Sequence, residues 1–319
     1  MIPVDEQEAA KPLNQKPGLL EVVGVSAKLG LTSFGGPIAH LGYFHHEYIR
    51  KRKWMDERSY ADLVALCQFL PGPASSQVGI GIGVIRAGFW GGLMAWLGFT
   101  LPSVFALIAF ALLLQGFDIA HAGWIHGLKI VAVSIVAHAV LGMGQKLTPD
   151  KERVTIAVAA AAICLLWPTA YTQVLIILAA AVIGLWLYRK REIEDIPSLP
   201  VAVSRRFGLI CLALFLGLLV LLPLIRQGAE IGWLAMFDSF YRSGSLVFGG
   251  GHVVLPLLER EVVPSGWVGQ ADFLAGYGAA QAVPGPLFTF ASYLGAMAGG
   301  WFGAVLATIA IFQIGRASC

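Results

Sequence analysis

The sequence predicts an all-α polytopic membrane protein made of two homologous halves, arranged as inverted repeats with broken or re-entrant helices. Three observations lead there. Hydrophobic residues make up 57% of the 319 positions and charged residues only 13%, which excludes an ordinary soluble domain. Uncharged apolar stretches at 89–117, 171–188 and 207–225 are each long enough for a bilayer core of ~30 Å. Third, the chain repeats itself. Phe34-Gly35-Gly36-Pro37 returns as Phe248-Gly249-Gly250-Gly251, and Gln68 through Pro71-Gly72-Pro73 returns as Gln281 through Pro284-Gly285-Pro286. Lys28 with Arg242, Glu47 with Glu261 and Trp54 with Trp267 fall on the same alignment. Broken apolar segments at matching positions of two halves point to the binding site of a transporter.

Taken in order, residues 1–18 form a polar tail with Pro3, Pro12 and Pro17 and no apolar signal-peptide core. Residues 19–44 are apolar and broken at Gly35-Gly36-Pro37. The loop 45–58 carries Arg50, Lys51, Arg52, Lys53 and Arg58, a basic excess that places it in the cytoplasm. Residues 59–86 start and end beside arginine, at Arg58 and Arg86, with Pro71-Gly72-Pro73 between. Two prolines remove donors and push the preceding residues out of the helical region, so this stretch predicts two half-helices meeting at a break. An irregular backbone at membrane depth must be buried in protein or line water.

Residues 89–115 then run outward, 116–123 lack Lys and Arg and lie outside, and 124–145 return to a loop with Lys146, Lys151 and Arg153. Segments 154–167 and 170–188 form a hairpin leading into the basic linker 189–206. Such basic clusters beside apolar spans report topology, so no nucleic-acid partner is expected. Residues 207–225 supply one crossing. The counterpart of the basic loop, 258–271, has Arg260 alone against Glu259 and Glu261, which puts it outside and inverts the halves.

A half-helix that begins inside the bilayer offers free N–H groups and a positive dipole end, suited to an anion, and glycine permits close backbone approach. The candidate binding residues are therefore Gly35, Gly36, Gln68, Gly72, Ser75 and Ser76 in the first half. Gly249, Gly250, Gln281, Gly285 and Thr289 are their counterparts in the second. The first half is richer in donors and is expected to contribute more. Lys28 and Arg242 each precede a Phe-Gly-Gly break by six residues; cations in apolar spans mark function by default, with snorkelling as the alternative. Two such cations from inverted halves could converge on one dianion. Glu47 and Glu261 are candidates for proton coupling, against a plain interfacial role beside basic neighbours. His40 and His252 flank the breaks without being aligned, and each is read as a satisfied polar residue. His45-His46-Glu47 lacks a completing ligand cluster, so no metal is expected. Cys67, Cys164 and Cys211 are isolated and read as small buried hydrophobes. No Walker A motif and no cofactor fingerprint occurs, so neither an ATP-driven pump nor an enzyme is expected.

Together these motifs resemble the chromate transporter family, the ChrA-type proteins of bacteria. The resemblance covers two repeats, 19–188 and 207–312, the second incomplete, joined by the linker 189–206. Residues 313–319 are expected to be non-native, with the natural chain continuing further. The resemblance implies a multi-pass inner-membrane protein that exports chromate, driven by protons or another coupling ion, and gives chromate resistance. Sulfate, a tetrahedral dianion of similar size, is the natural competitor. The alternative is a passive or sulfate-selective anion channel or transporter of the same architecture. The lipid bilayer is the obligate environment, and a homo-oligomer is compatible with this reading.

Overall fold

A computed structural model describes residues 18–116, 150–167, 170–188, 205–228, 231–247 and 254–313, with isolated positions between 123 and 148. Within these residues every regular element is helical. The first half contains α1 (Leu19–Thr32), α2 (Gly36–Phe44) running into a π-helical segment His45–Lys51, α3 (Glu57–Phe69) and α4 (Ala74–Gly116). Then come α5 (Lys151–Leu166), α6 (Ala170–Tyr188) and α7 (Arg205–Gly228). The second half has α8 (Gly232–Ser245), α9 (Val254–Val262), α10 (Gln270–Ala282), a 3₁₀ turn Leu287–Thr289 and α11 (Phe290–Phe312).

Three of these helices, Ala74–Gly116, Arg206–Gly228 and Leu287–Phe312, are long and apolar enough to cross a membrane. The protein is thus an all-α membrane protein. α7 shows the corresponding surface: Leu209, Leu212, Leu214, Leu216 and Val220 are all more than half or about half exposed, an apolar face that lipid covers. The chain forms two compact units. One contains residues 1–132 and 199–319, hence the motifs of both halves; the other, 133–198, contains α5 and α6. The expected outer loop 116–123, much of the returning segment 124–145, the linker 189–206 and the tails fall mainly or wholly outside the described residues, as do Gly249, Gly250 and His252.

The expected breaks at Gly35-Gly36, Pro71-Gly72-Pro73 and Pro284-Gly285-Pro286 are present, while Phe248-Gly249-Gly250-Gly251 lies outside the described residues. α1 stops at Thr32 and α2 starts after Gly35, whose φ of 90° is left-handed. α3 stops at Phe69 and α4 starts at Ala74, with Gly72 at φ 121° between them. The Leu63 side chain lies 3.0 Å from where a Cβ on Gly81 would be, so α3 and the start of α4 run back along one another as a re-entrant hairpin. α4 is itself two helices. Ala87 and Gly88 are non-helical, and Gly88 has φ 65°. The arms 74–86 and 89–116 fold onto each other so closely that a Cβ on Gly83 would lie 2.5 Å from the Gly91 carbonyl oxygen, a contact that only small residues allow. The basic loop is shorter than expected, because the helix after Gly36 continues with π-helical bonding through Lys51.

The repeat read from the motifs is a repeat of structure. α1 and α8 match end to end at one offset, as do α3 and α10 (232−19 and 282−69, both 213). α11 breaks at Gly299-Gly300 with nearly the backbone angles of Ala87-Gly88. There too the arms touch through glycine, Gly295 against Gly303.

Candidate functional site

The breaks of the two halves are linked, and the links are exchanged between the halves. The Gly72 N–H donates to the Val247 carbonyl at 2.6 Å, just ahead of the second Phe-Gly-Gly motif. The Gly285 N–H donates to the Ser33 carbonyl at 2.9 Å, just ahead of the first. Each Pro-Gly-Pro break is thereby tied to the residue that precedes the other half's Phe-Gly-Gly motif. Ser103 on the outer arm of α4 adds a further link, its hydroxyl donating to the Pro284 carbonyl at 2.7 Å. A side chain on Gly285 would collide with that hydroxyl, which is why glycine stands there.

From this crossing the arm 74–86 begins. Its first turn carries Ser75, Ser76 and Gln77, all buried. The Ser75 hydroxyl lies 3.4 Å from His40 Nδ1. Gln77 turns its amide nitrogen to the Pro71 carbonyl at 3.0 Å. Ser76 Oγ, Gln77 Oε1, Ser33 Oγ, Thr100 Oγ1 and His40 Nε2 are buried with no hydrogen-bond partner among the described residues. Buried polar atoms are normally paired, and Ser76 Oγ and Gln77 Oε1 lie in that first turn, with the His40 ring beside it through Ser75. The second half differs, as its sequence suggests. Its helix begins with a 3₁₀ turn, and the Thr289 hydroxyl is already spent on the Pro286 carbonyl at 2.7 Å. Gln281 donates to the Tyr277 hydroxyl at 2.7 Å. Gln68 is exposed at the end of α3, and Gly35 is exposed while Gly36 is half-buried.

The two motif cations do not meet. Lys28 Nζ lies 3.0 Å from Glu47 Oε2, and Arg52 binds both Glu47 and Glu21. In the second half Arg242 lies 3.0 Å from both Glu261 and Asp238, with Arg226 also on Asp238 at 3.1 Å. Lys28–Glu47 and Arg242–Glu261 are the equivalent pairs of the two halves. Each ties the helix before a glycine break to the helix after it. In the loop beyond, the Asp56 carboxylate accepts from the Ser59 N–H and hydroxyl, which holds it below the usual carboxylate range. His45 hydrogen-bonds Glu57, and no group of metal-ligating side chains occurs among the described residues.

Sequence reasoning anticipated the breaks at Gly35-Gly36 and Pro71-Gly72-Pro73, and it read His40 as a satisfied polar residue, whereas its Nε2 has no partner among the described residues. No spacing signal could have found it, since His40 and Ser75 are brought together only by the folding of the breaks. The same holds for the cation–carboxylate pairing.

No solved structure matches the chain. Curated relatives do. The chain is 29% identical over 292 residues to the chromate transport protein of Pseudomonas aeruginosa, covering 89% of this chain and 68% of that one. It is 30% identical over 295 residues to the probable chromate transport protein of Synechococcus elongatus, covering 89% and 70% respectively. It is 26% identical over 305 residues to the chromate transport protein of Cupriavidus metallidurans, covering 92% and 71%. The family described as chromate transporter matches residues 20–185 and 234–315: the motifs, the breaks and the Lys28–Glu47 and Arg242–Glu261 pairs lie within those two matched stretches, and the chain belongs to the chromate transporter family.

Proposed function

We propose that this protein is a secondary transporter that exports chromate across the bacterial inner membrane and so confers chromate resistance. Its anion site lies where the breaks cross. The observation that carries this reading is the exchanged pair of hydrogen bonds, Gly72 to Val247 and Gly285 to Ser33. A contact that recurs with the partners exchanged is the mark of a two-fold relation. A site between two such halves can be exposed to either side in turn. The start of the arm at Ala74 supplies free N–H groups and the positive helix end, and Ser75 and Ser76 supply hydroxyls. A tetrahedral dianion matches these donors, and sulfate competes for them. The named functions of the Pseudomonas and Cupriavidus relatives support chromate as the cargo.

The direction follows from charge. An inside-negative potential is worth ~2.3 kcal/mol per elementary charge per 100 mV, so a dianion leaving the cell gains ~4.6 kcal/mol. That sustains a gradient of roughly 2,000-fold, without ATP.

The test is uptake of labelled chromate into everted membrane vesicles, in which export appears as accumulation. Accumulation should require an imposed potential and be inhibited by excess sulfate. Equilibration without accumulation at any potential would show a passive channel instead. Accumulation only in right-side-out vesicles would show an importer.

A further inference from the structure

His40 stands on α2 one turn beyond the Gly35-Gly36 break and is 1% exposed. Its ring meets Phe99 edge-on, with centroids 5.5 Å apart at 88°. Nδ1 faces the Ser75 hydroxyl, while Nε2 has no partner among the described residues. The neighbouring Ser76 hydroxyl is likewise buried and spare. The spare imidazole nitrogen and hydroxyl therefore lie around the helix start assigned above to the anion.

The other ionisable groups nearby are already committed. α1 carries Glu21 and Lys28, both held in the ion cluster with Glu47 and Arg52. The π-helical segment carries His45, bound to Glu57, and Glu47 in that same cluster, while His46, Arg50 and Lys51 are exposed or half-buried on its outer side. In α4 the ionisable side chain is Arg86, which donates to the Trp54 carbonyl at the far end of the arm. On α3, Tyr60 donates to the Leu41 carbonyl, Arg58 is exposed and Asp62 is half-buried. A dianion at this helix start is thus met by dipoles and hydroxyls, the uncommitted cations of these elements, Arg50, Lys51 and Arg58, all being exposed. An imidazole has an ordinary pKa near neutrality and becomes a cation at the least cost.

Resting on the oxyanion reading of the site, we infer that His40 is a substrate-binding residue and takes up the proton that accompanies anion binding. Empty, the buried ring is neutral. With a dianion beside it, the ring takes a proton from solvent and donates from Nε2 to the anion, so one proton and one dianion occupy the site together. Binding and protonation then strengthen each other by the same factor. Affinity falls about tenfold per pH unit wherever the empty site is deprotonated and the filled site protonated.

The experiment is calorimetric titration of the purified full chain in detergent with sulfate, which stays a dianion throughout, in buffers of different ionisation heat. The wild-type protein should take up close to one proton per sulfate at pH 7.5. His40→Gln should bind roughly fifty- to a hundredfold more weakly at pH 6.5, with a flat pH profile and no proton uptake. His46→Gln, an exposed change, should behave as wild type. Sulfate binding by the wild type without proton uptake would overturn the role of His40 and leave the oxyanion site standing. Proton uptake that persists in His40→Gln would overturn it too. Binding unaffected by the double change Ser75→Ala and Ser76→Ala would remove the site itself, and His40 with it.

Discussion

Lys28 and Glu47 lie nineteen residues apart in sequence and 3.0 Å apart in space, and Arg242 and Glu261 repeat both values. The pairing decides what these residues do. The Glu47 side chain is 5% exposed and accepts from Lys28 and Arg52 together, whereas Lys28 is half exposed. Burial alone would raise the Glu47 carboxyl, but the hydrogen bonds from Lys28 and Arg52 and the charge of Lys51 outweigh it, so its pKa lies below the ordinary value. Its ionised form is in place throughout the neutral range. The associated stability is complete above the ordinary carboxylate pKa and is lost as pH falls through the lower folded value. Glu47 is therefore a poor proton carrier in this state, and the pair acts as a clasp across the Gly35-Gly36 break. Glu47→Gln should lower the unfolding free energy by about 1–3 kcal/mol, the exposure of Lys28 discounting the larger cost of a fully buried pair. In a double-mutant cycle with Lys28→Gln, thermal unfolding should show a coupling of at least ~0.5 kcal/mol. Strictly additive losses would show that the contact contributes nothing.

At the scale of elements, the punctuation was legible and the encounters were not. Pro71-Gly72-Pro73 and Gly35-Gly36-Pro37 announce broken helices because proline and left-handed glycine cannot continue one. The span boundary at Arg86 and Phe89 was likewise visible from charge, and it coincides with the reversal at Ala87-Gly88. What sequence could not show is that Gly72 would bond to Val247 and Gly285 to Ser33, because offset repeats specify equivalence and say nothing about which copies touch. The π-helical continuation through Lys51 also left no signature in spacing. The crossing makes a specific demand on its two glycines. Gly72 and Gly285 have φ of 121° and 106°, a region closed to β-branched residues. A Cβ on Gly72 would lie 2.7 Å from the Gln77 amide nitrogen that is bonded to Pro71. Gly72→Val and Gly285→Val should each abolish chromate accumulation in vesicles while leaving protein in the membrane. Ser75→Ala and Ser76→Ala should each weaken binding by roughly 0.5–1.5 kcal/mol, and Thr289→Ala by less, since its hydroxyl is already committed to Pro286. A larger loss at Thr289 than at both serines would move the site into the second half.

For the whole molecule, the exchanged contacts are compatible with either direction of a two-fold axis. An axis along the membrane normal would put the two equivalent loops on one side, whereas an axis in the membrane plane would put them on opposite sides. The charge contrast separates the two cases. The stretch 45–58 carries Arg50, Lys51, Arg52, Lys53 and Arg58, while its counterpart 258–271 carries Arg260 within a run that also holds Glu259 and Glu261. Lys and Arg in short loops hold their side to the cytoplasm, and on that ground we propose that the first loop faces in and the second faces out. α7 has the length this requires: at 24 residues it is about 36 Å long, enough for one crossing of a core of ~30 Å. Single cysteines introduced as Lys51→Cys and Ser265→Cys, in a background without the native cysteines, sample the two loops at exposed or turn positions with little cost to either ion cluster. On intact cells a membrane-impermeant maleimide should label Ser265→Cys and leave Lys51→Cys unmodified until the membrane is opened. Labelling of both from outside, or protection of both, would place the halves in parallel and end the inverted-repeat account of alternating access, with the crossing of the breaks itself left intact.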